Sequence, residues 1–241
     1  MNNELLEVLR ESFNLYITNG PRSNKKLKPL HGRISFDLEH KLNELKTNND
    51  TYKCFSLNLE NGIEKEINGR YMDKAVDITI EKNNEIIGGV AVKFVMSNFK
   101  QNKNNYFENM LGETANIRTN NYPYYQIFIT TDVLPYYDKN GFISKWENVS
   151  VDDLQKYLIL SRDNNQLFYH TPNKIFLGLI NIPIPRPNVE NKREYKKYFE
   201  ENPNFNISYS QLDLENQYGD NLIYNDYEDF ITKISHHLLS L

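Results

Sequence analysis

The chain has 241 residues, with 28 Lys+Arg, 32 Asp+Glu and 5 His, giving a formal charge of -4 and an isoelectric point near 5.8. That length suits one domain with an ordinary core, and although hydrophobic residues are only 39%, an aromatic share of 13% excludes disorder of the whole chain. The near-balanced charge excludes a generic polyanion-coating protein while leaving room for local basic surfaces.

Residues 1–18 place Leu5, Leu6, Val8, Leu9, Phe13, Leu15, Tyr16 and Ile17 on an approximate helix face. Asn19, Gly20 and Pro21 stop it, and residues 21–29, with Arg22, Lys25, Lys26 and Lys28, read as a basic loop. A second helix is predicted over 34–45, with Ile34, Leu38, Leu42 and Leu45 on one stripe. Strand alternation begins at Cys54, through Phe55, Leu57 and Leu59.

From Lys74 to Ile80 apolar residues alternate, so Val76, Ile78 and Ile80 are expected on one face and Asp77 on the other. The following strand, residues 86–94, puts Val90, Val92 and Phe94 on one face and Ala91 and Lys93 on the opposite one. A two-residue turn at Asn83 and Asn84 would pair Asp77 with Val90, which separates it from Lys93. A three-residue loop, or one bulge at Gly88 and Gly89, restores the parity and brings Asp77 and Lys93 onto one face.

A helix is predicted over 97–118, with Gln101, Asn105 and Glu108 on a polar stripe. A strand at 125–130, ended by Pro135, comes next. Then follow a helix at 150–160 with a capping-box pattern at Ser150 and Asp153, and a strand at 174–182 bounded by Pro183, Pro185 and Pro187. Helices near 192–201 and 226–239 complete a mixed α/β domain spanning 1–241, with a core at about 34–182 and a helical or irregular elaboration at 183–241.

An acid on one hairpin strand, a lysine on the next and a carboxylate-bearing helix after them suit phosphodiester hydrolysis. Carboxylates hold Mg²⁺, which keeps waters for attack, and a desolvated lysine has the adjustable pKa needed at that water. This segment resembles the PD-(D/E)XK nuclease superfamily, the fold of many type II restriction endonucleases, through Val76 and Asp77, then Ala91, Val92 and Lys93, then the helix from Asn98 through Glu108 to Glu113. The resemblance implies a restriction-endonuclease-like core: a central mixed β-sheet flanked by helices. It gives Asp77 and Lys93 the first and last roles of the motif.

Two positions depart from that pattern: Val76 stands for the proline and Ala91 for the second acid. Some enzymes of this type move the missing carboxylate to the following helix. Glu108 is the preferred replacement, making Asp77 and Glu108 the expected metal ligands. Glu113 is the competitor, about 140° around the helix, and Glu39 matches a glutamate often carried on the preceding helix. Double-stranded DNA, Mg²⁺ and a homodimer on palindromic sites follow from the resemblance.

Phosphate and base contacts are expected from Lys100, Gln101, Asn102, Asn104, Asn105 and Arg118, with the loop 22–28 and the region 186–197, including Arg186, Asn188 and Asn191, as further surfaces. The bland readings are a cross-strand Asp77–Lys93 ion pair and a solvated Glu108. The alternatives in function are a structure-selective or repair nuclease, and a DNA-binding or interaction module whose site has decayed.

The five histidines, His31, His40, His170, His236 and His237, show no metal-ligand spacing. The single cysteine, Cys54, excludes an intramolecular disulfide framework and reads as core filler. No run approaches the ~18 apolar residues of a membrane span and residues 1–10 lack the order of a secretory signal, so a reduced cytoplasm is the expected setting. Asparagine, at 35 residues, is the compositional outlier; most of it reads as background, with residues 98–116 given a chemical use.

Overall fold

A computed structural model describes residues 1–184, 189–215 and 217–241. Pro185, Arg186, Pro187 and Asn188, named above as strand boundary and basic surface, lie outside the described residues. Six helices occur among the described residues: α1 (Asn2–Asn19), α2 (Leu27–Leu45), α3 (Phe99–Arg118), α4 (Val151–Leu160), α5 (Lys192–Glu201) and α6 (Tyr227–Leu239). The strands are β1 (Tyr52–Ser56), β2 (Lys65–Ile67), β3 (Lys74–Val76), β4 (Ile78–Lys82), β5 (Glu85–Val95), β6 (Tyr124–Thr131), β7 (Val133–Tyr137), β8 (Ile143–Asn148), β9 (Lys174–Asn181), β10 (Ser208–Tyr209) and β11 (Leu222–Tyr224).

The centre is a seven-stranded mixed sheet in the order β1-β4-β5-β6-β9-β10, with β11 also paired to β9. Strands β1, β4 and β5 run antiparallel, whereas β5, β6, β9 and β11 pair in parallel, the β5-to-β6 crossover being α3. The predicted α/β class with a central mixed sheet flanked by helices is therefore present.

One face is covered by α1, α2 and α6, whose stripes Leu5/Leu9/Phe13, Leu30/Ile34/Leu38/Leu42 and Phe230/Ile234/Leu238 bury against Ile78, Ile80, Val90, Val92, Tyr125, Ile127 and Phe176. The other face carries α3 and α4, with Phe99, Met110, Leu154 and Tyr157 against Val95, Phe128, Leu177 and Leu179. The segment after residue 183 is no appendage: β10 and β11 extend the central sheet and α6 shares the first core.

Several local expectations change. Helix α2 begins at Leu27, since a 3₁₀ turn at Asn24–Lys26, capped by Ser23, feeds directly into it and Pro29 falls in its first turn. Pro135 does not end the strand region but sits in β7, opposite Trp146 in a separate β7–β8 hairpin. The capping box forms at the start of α4, where the side chains of Ser150 and Asp153 each take up the other residue's backbone N–H.

The strand predicted through 74–80 breaks at Asp77. Before it, β3 pairs with β2, and after it, β4 pairs with β1 and β5. Val76 accordingly packs with Ile67, Ala91, Ile117 and Tyr124 on the α3 side, while Ile78 and Ile80 enter the other core. The β4–β5 hairpin turns at Asn83 and Asn84, both at positive φ, with Lys82 opposite Glu85. Its register shifts between Ile80 and Glu81, leaving Ile87 as the extra residue on β5, one place before the glycine pair. Beyond that bulge Ile78 faces Val90, so Asp77 falls opposite Ala91 and shares its face with Ala91 and Lys93.

A candidate metal centre in a cleft under helix α3

A cleft of about 820 Å³ opens between the α3 face of the sheet, helix α3 and the loop preceding α2. Its floor is Ala91, Lys93, Gln126 and Phe128, its α3 wall bears Glu108, Asn109, Gly112, Glu113 and Asn116, and Asp77, Lys74 and Lys26 line it from the remaining sides. Asp77 is held by the neighbouring strand, its Oδ2 accepting from the Val92 backbone N–H at 2.7 Å. Gln126 is buried and donates to Thr114 Oγ1 at 3.3 Å, fixing the floor to α3.

Close packing explains why the β2–β3 hairpin lies where it does. A Cβ at Gly89 would stand 2.8 Å from Ile67 Cδ1 and 2.9 Å from Val76 Cγ1, so glycine lets the hairpin pack onto the sheet without displacing those side chains. The preceding loop winds around Asn58, whose Oδ1 accepts from the Glu60 and Gly62 N–H groups at 2.9 and 2.7 Å. That loop brings Glu64 within 4.8 Å of Asp77, although Asp77 alone of the two lines the cleft. From α3, Asn116 Oδ1 accepts from Tyr71 N–H at 2.9 Å and its amide donates to Met72 O at 2.8 Å, anchoring the segment that leads into Lys74.

Two charged arrangements result. In the first, His31, Glu64 and Asp77 each bring one ligand atom within 4.8 Å of the others. His31, on α2, has no exposed surface, and neither ring nitrogen finds a hydrogen-bond partner among the described residues. Such an orphaned buried polar group costs about 1–3 kcal/mol. Burial pushes the His31 imidazole down, against the pull of Asp77. Burial and then the Asp77 charge push the Glu64 carboxyl up, with Lys74 opposing.

In the second arrangement Glu113 accepts from the Tyr124 hydroxyl through Oε1 and pairs with Lys74 Nζ at 3.0 Å through Oε2. The Glu113 hydrogen bond holds the Lys74 ammonium above its ordinary value against burial, with Glu113, Asp77 and Glu64 charges adding to it. Burial, followed by the charge of Lys93, pushes Lys26 down. Lys93 is exposed, with its ammonium 4.8 Å from the centre of the Tyr106 ring, and the cross-strand ion pair with Asp77 is not formed among the described residues.

No protein-family model, curated protein or solved structure matches this chain. Its site is read from its own geometry.

Asp77, Lys93, Glu108 and Glu113 all line one cleft. Glu108 is exposed there and stands outside the converging ligand group. Glu39 is not in the cleft: its carboxylate accepts from Cys54 N–H at 2.8 Å and ties α2 to β1. The α2 residue that reaches Asp77 is His31, eight positions earlier and so about 12 Å along the helix from Glu39.

The expected nucleic-acid contacts are mostly committed elsewhere. Arg118 is 9% exposed and donates to the carbonyl oxygens of Asn165, Phe168 and Thr171, because its buried guanidinium organises the loop before β9. Lys100 and Lys103 grip Asp153 at 2.8 and 2.7 Å, clamping α3 to the start of α4. Asn104 accepts from Lys156 Nζ at 2.6 Å, Asn102 donates to Asn98 O at 3.0 Å, and Gln101 accepts from the Asn98 amide at 3.4 Å. Asn105 is exposed. None of these seven residues lines the cleft; Asn109 and Asn116 do.

His31 and Glu64 are the residues that sequence reading missed. The sequence signal for His31 was its place between a basic loop and an amphipathic helix, which says nothing about Asp77.

Proposed function

We propose that the chain is a divalent-metal-dependent double-stranded DNA endonuclease of the restriction type, built on a PD-(D/E)XK-like core. The observation that carries this reading is the shared face of Asp77, Ala91 and Lys93 in one cleft with the α3 carboxylates Glu108 and Glu113. The order of acid, lysine and carboxylate-bearing helix supports the resemblance, with Ala91 standing where the motif has its second acid. Among the described residues no helix is long and apolar enough to cross a membrane.

Asp77 and Glu64 supply carboxylate oxygens suited to Mg²⁺ or a related ion. A bound divalent ion would polarise the phosphoryl oxygen and lower the pKa of a water. Lys93, held over Tyr106 on the cleft floor, orients that water and offsets charge gathering on the phosphate. Water would add its oxygen to phosphorus and release a proton to solvent as the bond to the leaving sugar oxygen breaks, and that oxygen would take up a proton from solvent. Glu113, fixed by Tyr124 and Lys74, keeps Lys74 beside Asp77 as a positioning group. Lys26, which also lines the cleft and donates to the Pro21 carbonyl, offers a cation to the phosphate backbone. A homodimer would match two-fold sites in DNA.

Incubation of plasmid DNA with Mg²⁺ is the direct test. Discrete cuts support the restriction reading, preferential cleavage of branched substrates favours a structure-selective nuclease, and binding without cleavage under any divalent ion would overturn enzymatic function.

A further inference from the structure

We infer that His31, Glu64 and Asp77 form a mixed nitrogen and oxygen cation site that prefers a transition ion such as Mn²⁺ over Mg²⁺, with His31 setting the preference. The inference rests on the proposed metal-dependent reading and deepens it by naming the ion class.

Three observations converge. The donor atoms of the three side chains lie within 4.8 Å of one another, whereas donors around a six-coordinate ion at about 2.1 Å are roughly 3.0 Å apart when adjacent and 4.2 Å when opposite. Drawing the three donors onto one ion therefore needs at most about 2 Å of closure, within reach of side-chain adjustment. His31 is wholly buried with both nitrogens unpartnered, so this imidazole is placed against two carboxylates without a hydrogen-bonding role of its own. The position is also fixed from outside: the His31 carbonyl accepts from Ser56 Oγ at 3.3 Å, and Asp77 is held by Val92 N–H, so helix and strands set the spacing without the ion.

Donor chemistry then decides between ions. Mg²⁺ demands oxygen ligands in near-ideal octahedral geometry, which the two carboxylates and waters supply but an imidazole does not. First-row transition ions accept imidazole nitrogen alongside carboxylate oxygen. A site built for Mg²⁺ alone gains nothing from a buried histidine with both nitrogens unpartnered beside its carboxylates.

The full chain is titrated with Mn²⁺ alone and with Mg²⁺ alone by calorimetry, and bound Mn²⁺ is examined by pulsed electron paramagnetic resonance. Wild-type protein is expected to bind Mn²⁺ with a nitrogen coupling that changes on ¹⁵N-histidine labelling. In His31→Gln, Mn²⁺ affinity falls about tenfold or more while Mg²⁺ affinity stays within about twofold, so the preference collapses. The pulsed spectrum of the wild type stands even if that variant does not fold. Bound Mn²⁺ without nitrogen coupling, or equal losses for both ions in folded His31→Gln, overturns this inference alone. Failure to bind either ion overturns both it and the metal-dependent reading.

Discussion

Asp77 accepts a hydrogen bond from the backbone N–H of Val92 at 2.7 Å, across the break where one strand becomes two. The carboxylate is thereby fastened to the strand that carries Lys93. Asp77→Ala removes this bond and a proposed metal ligand together. It is expected to abolish cutting while lowering stability by only about 1 kcal/mol, read by plasmid cleavage and urea denaturation side by side. Lys93 is exposed and its ammonium contacts only the half-buried Tyr106 ring among the described aromatic rings, so Lys93→Ala should fold normally and slow cleavage by about 10²–10⁴-fold. Full activity in both variants removes the proposed mechanism.

Gly89 is where the β2–β3 hairpin meets the sheet. Gly89→Ala puts a methyl group 2.8 Å from Ile67 and 2.9 Å from Val76, and 3.2 Å from the Tyr124 ring. The overpacking is expected to cost about 1–3 kcal/mol. It should also displace Lys74, in that hairpin, and Glu64, just before it, so metal affinity drops with stability. Thermal unfolding and metal titration of one preparation measure both.

Arg118 serves the fold. Arg118→Ala leaves the carbonyls of Asn165, Phe168 and Thr171 without their charged donor, a loss of about 2–4 kcal/mol. Proteolysis should become fast in residues 163–173. The salt dependence of DNA binding should keep its slope, since a buried guanidinium releases no phosphate counterion; a slope lower by about one would return Arg118 to the DNA surface.

Asp153 sits below the ordinary carboxylate range: burial pushes it up, but hydrogen bonds from Lys100, Lys103 and Ser150 outweigh that. Its folded value is lower than its unfolded one, so its stabilising contribution is complete above about pH 4 and fades as pH falls from there. Asp153→Asn, which strands two lysines and alters the α4 capping box, should cost about 2–4 kcal/mol at pH 7. The difference from wild type should narrow below about pH 4 in denaturation curves. A constant difference down to pH 2 contradicts this assignment.

Long helices were legible from residue order because their stripes repeat every four positions, as in Leu5, Leu9 and Phe13 or Ile34, Leu38 and Leu42. The hairpin parity was legible too, since alternation and turn length fix which side each residue takes. Short strands such as β2, β10 and β11 carry too few residues for a period to show. Val76 was misplaced because alternation presumes an unbroken strand, and the break at Asp77 reverses the side. At the site, the strand pair Asp77 and Lys93 could be read locally, whereas His31 and Glu64 reach Asp77 only through packing between separate elements. Arg118, Lys100 and Lys103 looked like free cations because sequence reveals charge but not the buried acceptors that use it.

The asparagine excess acquires a backbone explanation as well. Among the described residues six of the seven non-glycine positions at positive φ are asparagine, the residue that tolerates that region best after glycine.

The extra residue at Ile87 works as a phase shifter in the β4–β5 ladder. Removing it in a shortened variant would leave composition, turn and both strands nearly unchanged. Every side chain beyond that point would nevertheless exchange inside for outside, sending Lys93 away from the face that holds Asp77. Insertions and deletions in these strands are thus tolerable only in pairs, and a relative with one residue fewer here must have moved its lysine by one as well.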